Sequence, residues 1–304
     1  MFHQYSYAAT LAAAERIDWR VEDVIGPGTQ LDFSRPFLPE TFVRAEALPF
    51  LSPRERLVLN QIRGHGYLSI LGLVEEFILP FVLDHARPLL EGTDDHRIRA
   101  LLGFAAEEAK HIHLFKRFRT AFAAGFGAEC GVIGPGRDLA RTVLAHDPLS
   151  VALVVLHLEW MTQLHYLDSV LDDDQLEPCF VSLLKHHWME EAQHAKLDTL
   201  IVEALAATRS TAEFDKAVDG YLTIGAVLDA ALKQQVAHDL DSLERAIGRS
   251  LSASERERFI TVQHQANRWT YLGSGMTHRH FLATVEQFSP SAKLRLQALA
   301  PALC

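Results

Sequence analysis

Two copies of Glu-x-x-His, Glu108 to His111 and Glu191 to His194, stand out among the residues able to bind a cation. A glutamate and a histidine three apart share one face of a helix, so each copy aims a carboxylate and an imidazole at one point. Each copy follows a lone glutamate in an apolar helical stretch. Glu75 lies 33 positions before Glu108, and Glu159 lies 32 positions before Glu191. One helical hairpin therefore occurs twice. Two helices giving Glu and two giving Glu-x-x-His are the arrangement that holds a di-iron or di-manganese site inside a bundle. A seventh candidate, His187, precedes Glu191 by four and His194 by seven, which puts all three on one stripe over two turns. The candidate metal ligands are Glu75, Glu108, His111, Glu159, His187, Glu191 and His194, with no catalytic residue expected beyond them.

The chemistry follows from the donor types. Iron that changes oxidation state and handles dioxygen needs hard anionic ligands, with imidazoles completing each shell; manganese or a mixed pair suits the same donors. Four carboxylates roughly offset two divalent cations. Without metal, the same buried groups repel one another, so metal removal is expected to loosen the core. Electrons must come from an external donor, because no flavin or nicotinamide fingerprint is evident.

The neighbouring residues have plainer readings. Glu76, Glu107 and Glu190 point about 100° away from the ligands beside them and read as surface groups or as supports behind the ligands. Tyr67 and Tyr166 are candidates to hydrogen-bond the metal ligands, or simply to reach solvent with their hydroxyls. His65, His157 and His165 read as ordinary partly buried histidines. Phe104, Phe115, Phe118, Phe122 and Phe126 follow helical spacing, which usually means core.

The elements that must position these groups are helices. Ser52-Pro53-Arg54-Glu55 and the pairs Ser210/Glu213 and Ser252/Glu255 are capping boxes. Asp94 or Asp95, Asp147-Pro148 and Glu177-Pro178 mark three further starts. The spacing predicts helices from Pro53 through Glu75 with a kink at Pro80, from Asp95 through Phe118, from Pro148 through Leu167, and from Pro178 to about Ala207. Two more are expected over Thr211 to Ile247 and Ala253 to Phe288. Five glycines between Gly125 and Gly136 read as a loop, and residues 20 to 50 as an extended segment after a short N-terminal helix. The expected architecture is all-α: one domain over residues 1–304, a ferritin-like four-helix bundle at about 53–208, and extra helices at about 211–304.

Composition narrows the classes. A formal charge of −10, from 39 acidic and 29 basic residues without a basic run, makes nucleic acid a poor partner. Three scattered cysteines, Cys130, Cys179 and Cys304, without a Cys-x-x-Cys spacing, argue for a reducing compartment and a cytoplasmic location. The N-terminus lacks the pattern of a signal peptide, and no apolar run is read as approaching the ~20 residues that span a bilayer, so no membrane association is expected. The apolar helices make a homodimer reasonable.

With these residues in view, the chain resembles the di-iron arylamine N-oxygenases, the family of p-aminobenzoate N-oxygenase within the ferritin-like superfamily. The resemblance rests on Gly66-Tyr67 eight positions before Glu75, on Glu108-Ala109-Lys110-His111, on Glu159 in its apolar helix, and on His187-Trp188-Met189-Glu190-Glu191-Ala192-Gln193-His194. It covers about residues 55 to 205. It implies that the metals are iron, that Glu75, Glu108 and Glu191 rather than Glu76, Glu107 and Glu190 are the ligands, and that dioxygen is used to oxygenate a small-molecule amine. Phe115 stands where ribonucleotide reductase small subunits commonly carry a radical tyrosine, one turn after the second-helix histidine. The alternatives kept open are a di-iron hydroxylase or desaturase acting on a carbon chain, and an iron-storage or ferroxidase bundle.

Overall fold

The start signals predicted from the side chains are the ones used. In the computed structural model, which describes residues 3–304, Ser52 Oγ accepts from the Glu55 amide while the Glu55 carboxylate accepts from the Ser52 amide. The same reciprocal box opens the helices at Thr211 and Ala253. Asp94, Asp147 and Glu177 each cap a helix with a side-chain oxygen. Each cap satisfies an orphan amide and contributes about 1 kcal/mol.

After a short N-terminal helix α1 (Tyr7–Ala14), the long elements are α2 (Pro53–Ala86), α3 (Asp95–Phe126), α4 (Gly136–Leu144), α5 (Pro148–His165), α6 (Pro178–Ala206), α7 (Thr211–Ile247), α8 (Ala253–Arg268), α9 (Arg279–Phe288) and α10 (Pro290–Leu299). Helices α2 and α3 form one antiparallel hairpin, and α5 and α6 form the second. The hairpins face each other, which makes a four-helix bundle. Helix α7 lies on α2 and α5, while α1 lies across α3 and α6. The described residues contain no strand.

Phe37, from the extended segment after α1, joins Phe118, Phe122 and Phe180 in a buried aromatic knot at one end of the bundle. Truncating one such ring to alanine costs roughly 3–5 kcal/mol. The segment between α1 and α2, extended except for short helical turns at Val21–Val24, Glu40–Val43 and Ala45–Ala47, is thus part of the core: Asn60 on α2 pins it by accepting from the Phe37 and Leu38 amides and donating to the Leu38 carbonyl.

Four expectations need correction. The glycine-rich stretch is not all loop, because after Pro135 the chain turns into α4, which lies on α2. The helix expected over Ala253 to Phe288 is interrupted: α8 widens into a π turn at Trp269–Gly273 and stays helical through Ser274–Met276, and the helix ends at Thr277 before His278 caps α9. Helix α10, started by Ser289 and Pro290, was not anticipated. Finally, Pro53–Leu89 does contain an 18-residue window of mean hydropathy 1.7, apolar and long enough to cross a membrane by composition. In the fold, 67% of that window is buried, and the helix runs through Pro80 without interruption as the central element of the bundle.

Candidate metal centre

Each hairpin delivers the groups its sequence promised. Glu75 comes from α2, Glu108 and His111 from α3, Glu159 from α5, and His187, Glu191 and His194 from α6; all seven are buried. Two sets of four converge, Glu75, His111, His187 and Glu191 in one and Glu108, His111, Glu191 and His194 in the other. Within each set, one donor atom per residue lies within 4.8 Å of the others. His111 and Glu191 belong to both sets, so the two points are adjacent. Glu159 lies outside both sets, buried beside Glu191, whose charge acts on it.

The imidazoles are oriented from behind. Glu190 Oε2 accepts from His111 Nε2 at 2.9 Å, and Glu107 Oε2 accepts from His194 Nε2 at 2.7 Å. With the Nε2 proton held there, Nδ1 of each ring faces inward. His111 Nδ1 then lies 3.0 Å from Glu191 Oε1, and His194 Nδ1 lies 2.9 Å from Glu108 Oε1 and 3.0 Å from Glu191 Oε2. His187 Nε2 lies 2.8 Å from Glu191 Oε1 and 3.3 Å from Glu75 Oε1. A ring lone pair facing a carboxylate oxygen at such distances repels it unless a proton or a cation sits between them.

The electrostatics express the same conflict. Burial alone pulls His111 down, but the carboxylates of Glu191, Glu190 and Glu75 raise its pKa to about 9. Burial likewise opposes a charged Glu191, yet His187 and His194 beside it hold its carboxyl well below the usual range. Glu159 is driven well above that range by burial and then by the charge of Glu191. Carboxylates and imidazoles buried this close together are compensated when a divalent cation binds between them.

The donor set fits a metal pair on a second ground. Both oxygens of Glu108, Oε2 of Glu75, Oε2 of Glu159, Oε1 of Glu191 and Nδ1 of His111 are buried without a hydrogen-bond partner. Buried polar atoms are rarely left so, and here they converge instead of scattering. The cluster is able to hold a dimetal site.

Aromatic rings exclude water around it. Phe104 stacks on His194 with ring centroids 3.9 Å apart, Phe115 lies 5.2 Å from His187, and Trp19 from the N-terminal segment lies over His111 at 6.4 Å. Lys110 Nζ sits 4.0 Å over the Trp19 ring and pairs with Glu190, which ties that segment to the support behind His111.

Other sequence readings resolve as follows. Tyr67 bonds no ligand: Ser274 donates to the Thr270 carbonyl, so His165 Nε2–H donates to Ser274 and the Tyr67 hydroxyl donates to His165 Nδ1 at 3.0 Å. Tyr166 stacks on Trp188. His65 stacks on Phe122, and His157 is fixed between Tyr221 and the Tyr271 carbonyl. Glu107 and Glu190 are supports to the histidines, whereas Glu76 is exposed. Asp198 was missed. It is fully buried one turn past His194, with neither oxygen hydrogen-bonded, and burial, then the Glu191 charge, push its carboxyl well up against the opposing pull of His194. The signal was present: positions 187, 191, 194 and 198 continue one stripe.

Neither the scan of protein-family models nor the search of curated proteins finds a match. Among solved structures, the chain is similar to mutants of an R2-like ligand-binding oxidase. One with an aerobically reconstituted Mn/Fe cofactor gives a TM-score of 0.48 at 12% identity, covering 88% of this chain and 93% of that one. Another with an aerobically reconstituted Fe/Fe cofactor gives 0.46 at 13% identity over the same shares.

Proposed function

We propose that this chain is an oxygen-dependent non-haem di-iron oxygenase that oxidises a small organic substrate, by N-oxygenation of an amine. The observation that carries the reading is the convergence of the two four-residue sets on shared His111 and Glu191, with both Glu108 oxygens, Glu75 Oε2, Glu191 Oε1 and His111 Nδ1 buried without a hydrogen-bond partner. Glu75, His111, His187 and Glu191 would hold one metal, and Glu108, His111, Glu191 and His194 would hold the other, with Glu159 buried beside Glu191. The N-oxygenation component is supported by the resemblance in the His187 to His194 block, whose extra imidazole stands beside Glu75 and Glu191.

Bound there, the metal pair supplies the binding and reduction of dioxygen. The protein's own groups do the rest. Glu107 and Glu190 fix the tautomer of His194 and His111, Phe104, Phe115 and Trp19 keep the centre dry, and Lys110 neutralises Glu190 at its outer edge. Electrons arrive from an external donor.

The test is metal quantification after anaerobic loading with ferrous iron, then exposure to isotopically labelled dioxygen with an arylamine. About two irons per chain and label on the nitrogen are expected. Unchanged metal content in a Glu108→Ala/Glu191→Ala variant would rule out these ligands, and label on carbon would replace N-oxygenation by hydroxylation.

A further inference from the structure

The six converging groups are buried, so whatever reacts there must pass between helices. Along the groove between α2 and α3 the seal is one ring thick. Ser69, Gly72 and Glu76 from α2 and Phe115, Lys116 and Arg119 from α3 line a narrow cleft there. Glu76, Lys116 and Arg119 are exposed at its mouth, Gly72 is half-buried, and Phe115, 1% exposed, forms the floor. The other side of the Phe115 ring faces His187, centroid to centroid 5.2 Å.

Two further details mark the cleft as more than a surface crease. A Cβ added at Gly72 would stand 3.6 Å from Phe115 Cδ2 and 3.7 Å from its Cβ, so position 72 lies directly above that side chain and is kept empty by having no side chain of its own. The Ser69 hydroxyl, in the cleft wall and 97% buried because the residue is 3% exposed, has no hydrogen-bond partner. Phe115 also lies one turn after His111, on the stripe that faces the metal centre.

We propose that the substrate reaches the centre through this cleft, with Phe115 as its gate and Gly72 as the position that sets its width. This rests on the dimetal reading above. A ring rotation at Phe115 opens a slot suited to a flat or unbranched group, because the opposing wall at residue 72 is bare backbone; a branched group meets the helix on both sides. The pair are specificity-determining residues rather than catalytic ones.

The experiment is iron release from the ferrous-loaded protein to 2,2′-bipyridyl, a flat aromatic chelator whose complex is coloured. Phe115→Ala is expected to release iron roughly tenfold faster than the natural chain, and Gly72→Leu severalfold slower. Phe118→Ala, which removes an equal ring facing the Phe37 and Phe180 knot, separates an opened path from a loosened core. Should Phe115→Ala fold poorly, Phe115→Leu is expected to show the same direction, and Gly72→Leu stands by itself. The proposal is overturned if Phe115→Ala is no faster than Phe118→Ala, or if Gly72→Leu matches the natural rate. A natural chain that takes up no iron overturns the dimetal reading and the cleft with it, whereas iron-loaded variants with unaltered rates overturn the cleft alone.

Discussion

Two buried polar clusters in this molecule resolve burial in opposite ways. Around Asp239, both carboxylate oxygens are answered: Gln235 donates to one at 2.8 Å, Arg63 Nη1 stands 3.3 Å from the other, and Gln235 also bonds Gly131 and Ile133 in the loop before α4. Around Glu191, Glu108 has no hydrogen bond to either oxygen and faces an imidazole nitrogen. The histidines repeat the contrast. His157 accepts from the Tyr221 hydroxyl at 2.6 Å and donates to the Tyr271 carbonyl at 3.1 Å, and burial pushes its pKa down to about 4. His111, equally buried, is raised to about 9 by carboxylates that outweigh burial. A cluster that only holds the fold closes its own loops of donors and acceptors; one that leaves convergent lone pairs is built for a guest.

Replacing one carboxylate or its partner in each cluster breaks or sharpens this contrast most strongly. Arg63→Met strands Asp239 and is expected to cost about 3–5 kcal/mol in urea unfolding while metal content per chain stays unchanged. Glu108→Gln is expected to do the reverse, leaving the metal-free chain as stable or more so by removing a repelling charge, while metal binding is lost. Equal destabilisation by both would end the distinction.

Much of this plan was legible beforehand, and the remainder shows what a linear pattern omits. The repeated hairpin, the capping serines and the six converging groups, Glu159 lying beside them, all rest on relations within one helix or between equal intervals. The orienting role of Glu107 and Glu190 does not, because Glu107 supports His194, 87 positions away, and Glu190 supports His111, 79 positions away. Helical spacing put them off the ligand stripe correctly; the length of a glutamate side chain then carries each across to the facing helix. Helix α4 was hidden by glycines that favour a loop, and the break before α9 by a periodic pattern that continues through a π turn.

That crossed support gives the next test. Glu107→Gln keeps the shape but weakens the hold on the His194 Nε2 proton, and a roughly 10–100-fold loss of metal affinity is expected in a competition titration, with Glu190→Gln behaving alike. A variant affinity equal to that of the natural chain would make these carboxylates mere packing.

The smallest effect concerns pH. His157 has a folded pKa of about 4 against an ordinary 6.5, so below 6.5 the unfolded chain takes up a proton that the folded one refuses. Stability therefore falls as pH drops through that window, by about 2 kcal/mol from this residue between pH 7.5 and pH 5. Denaturation of metal-free protein at the two pH values should show a shallower drop in a His157→Gln variant. An unaltered pH dependence would mean that His157 is not buried neutral.

The reciprocal bracing of the two histidines means that neither hairpin owns a finished half of the centre. A chain severed in the short link between Leu144 and Pro148 would leave each fragment with one Glu-x-x-His whose imidazole is unsteadied until the other fragment arrives. Reassembly of the pieces and recovery of the centre would then be a single event, with the ions acting as a clasp across the join.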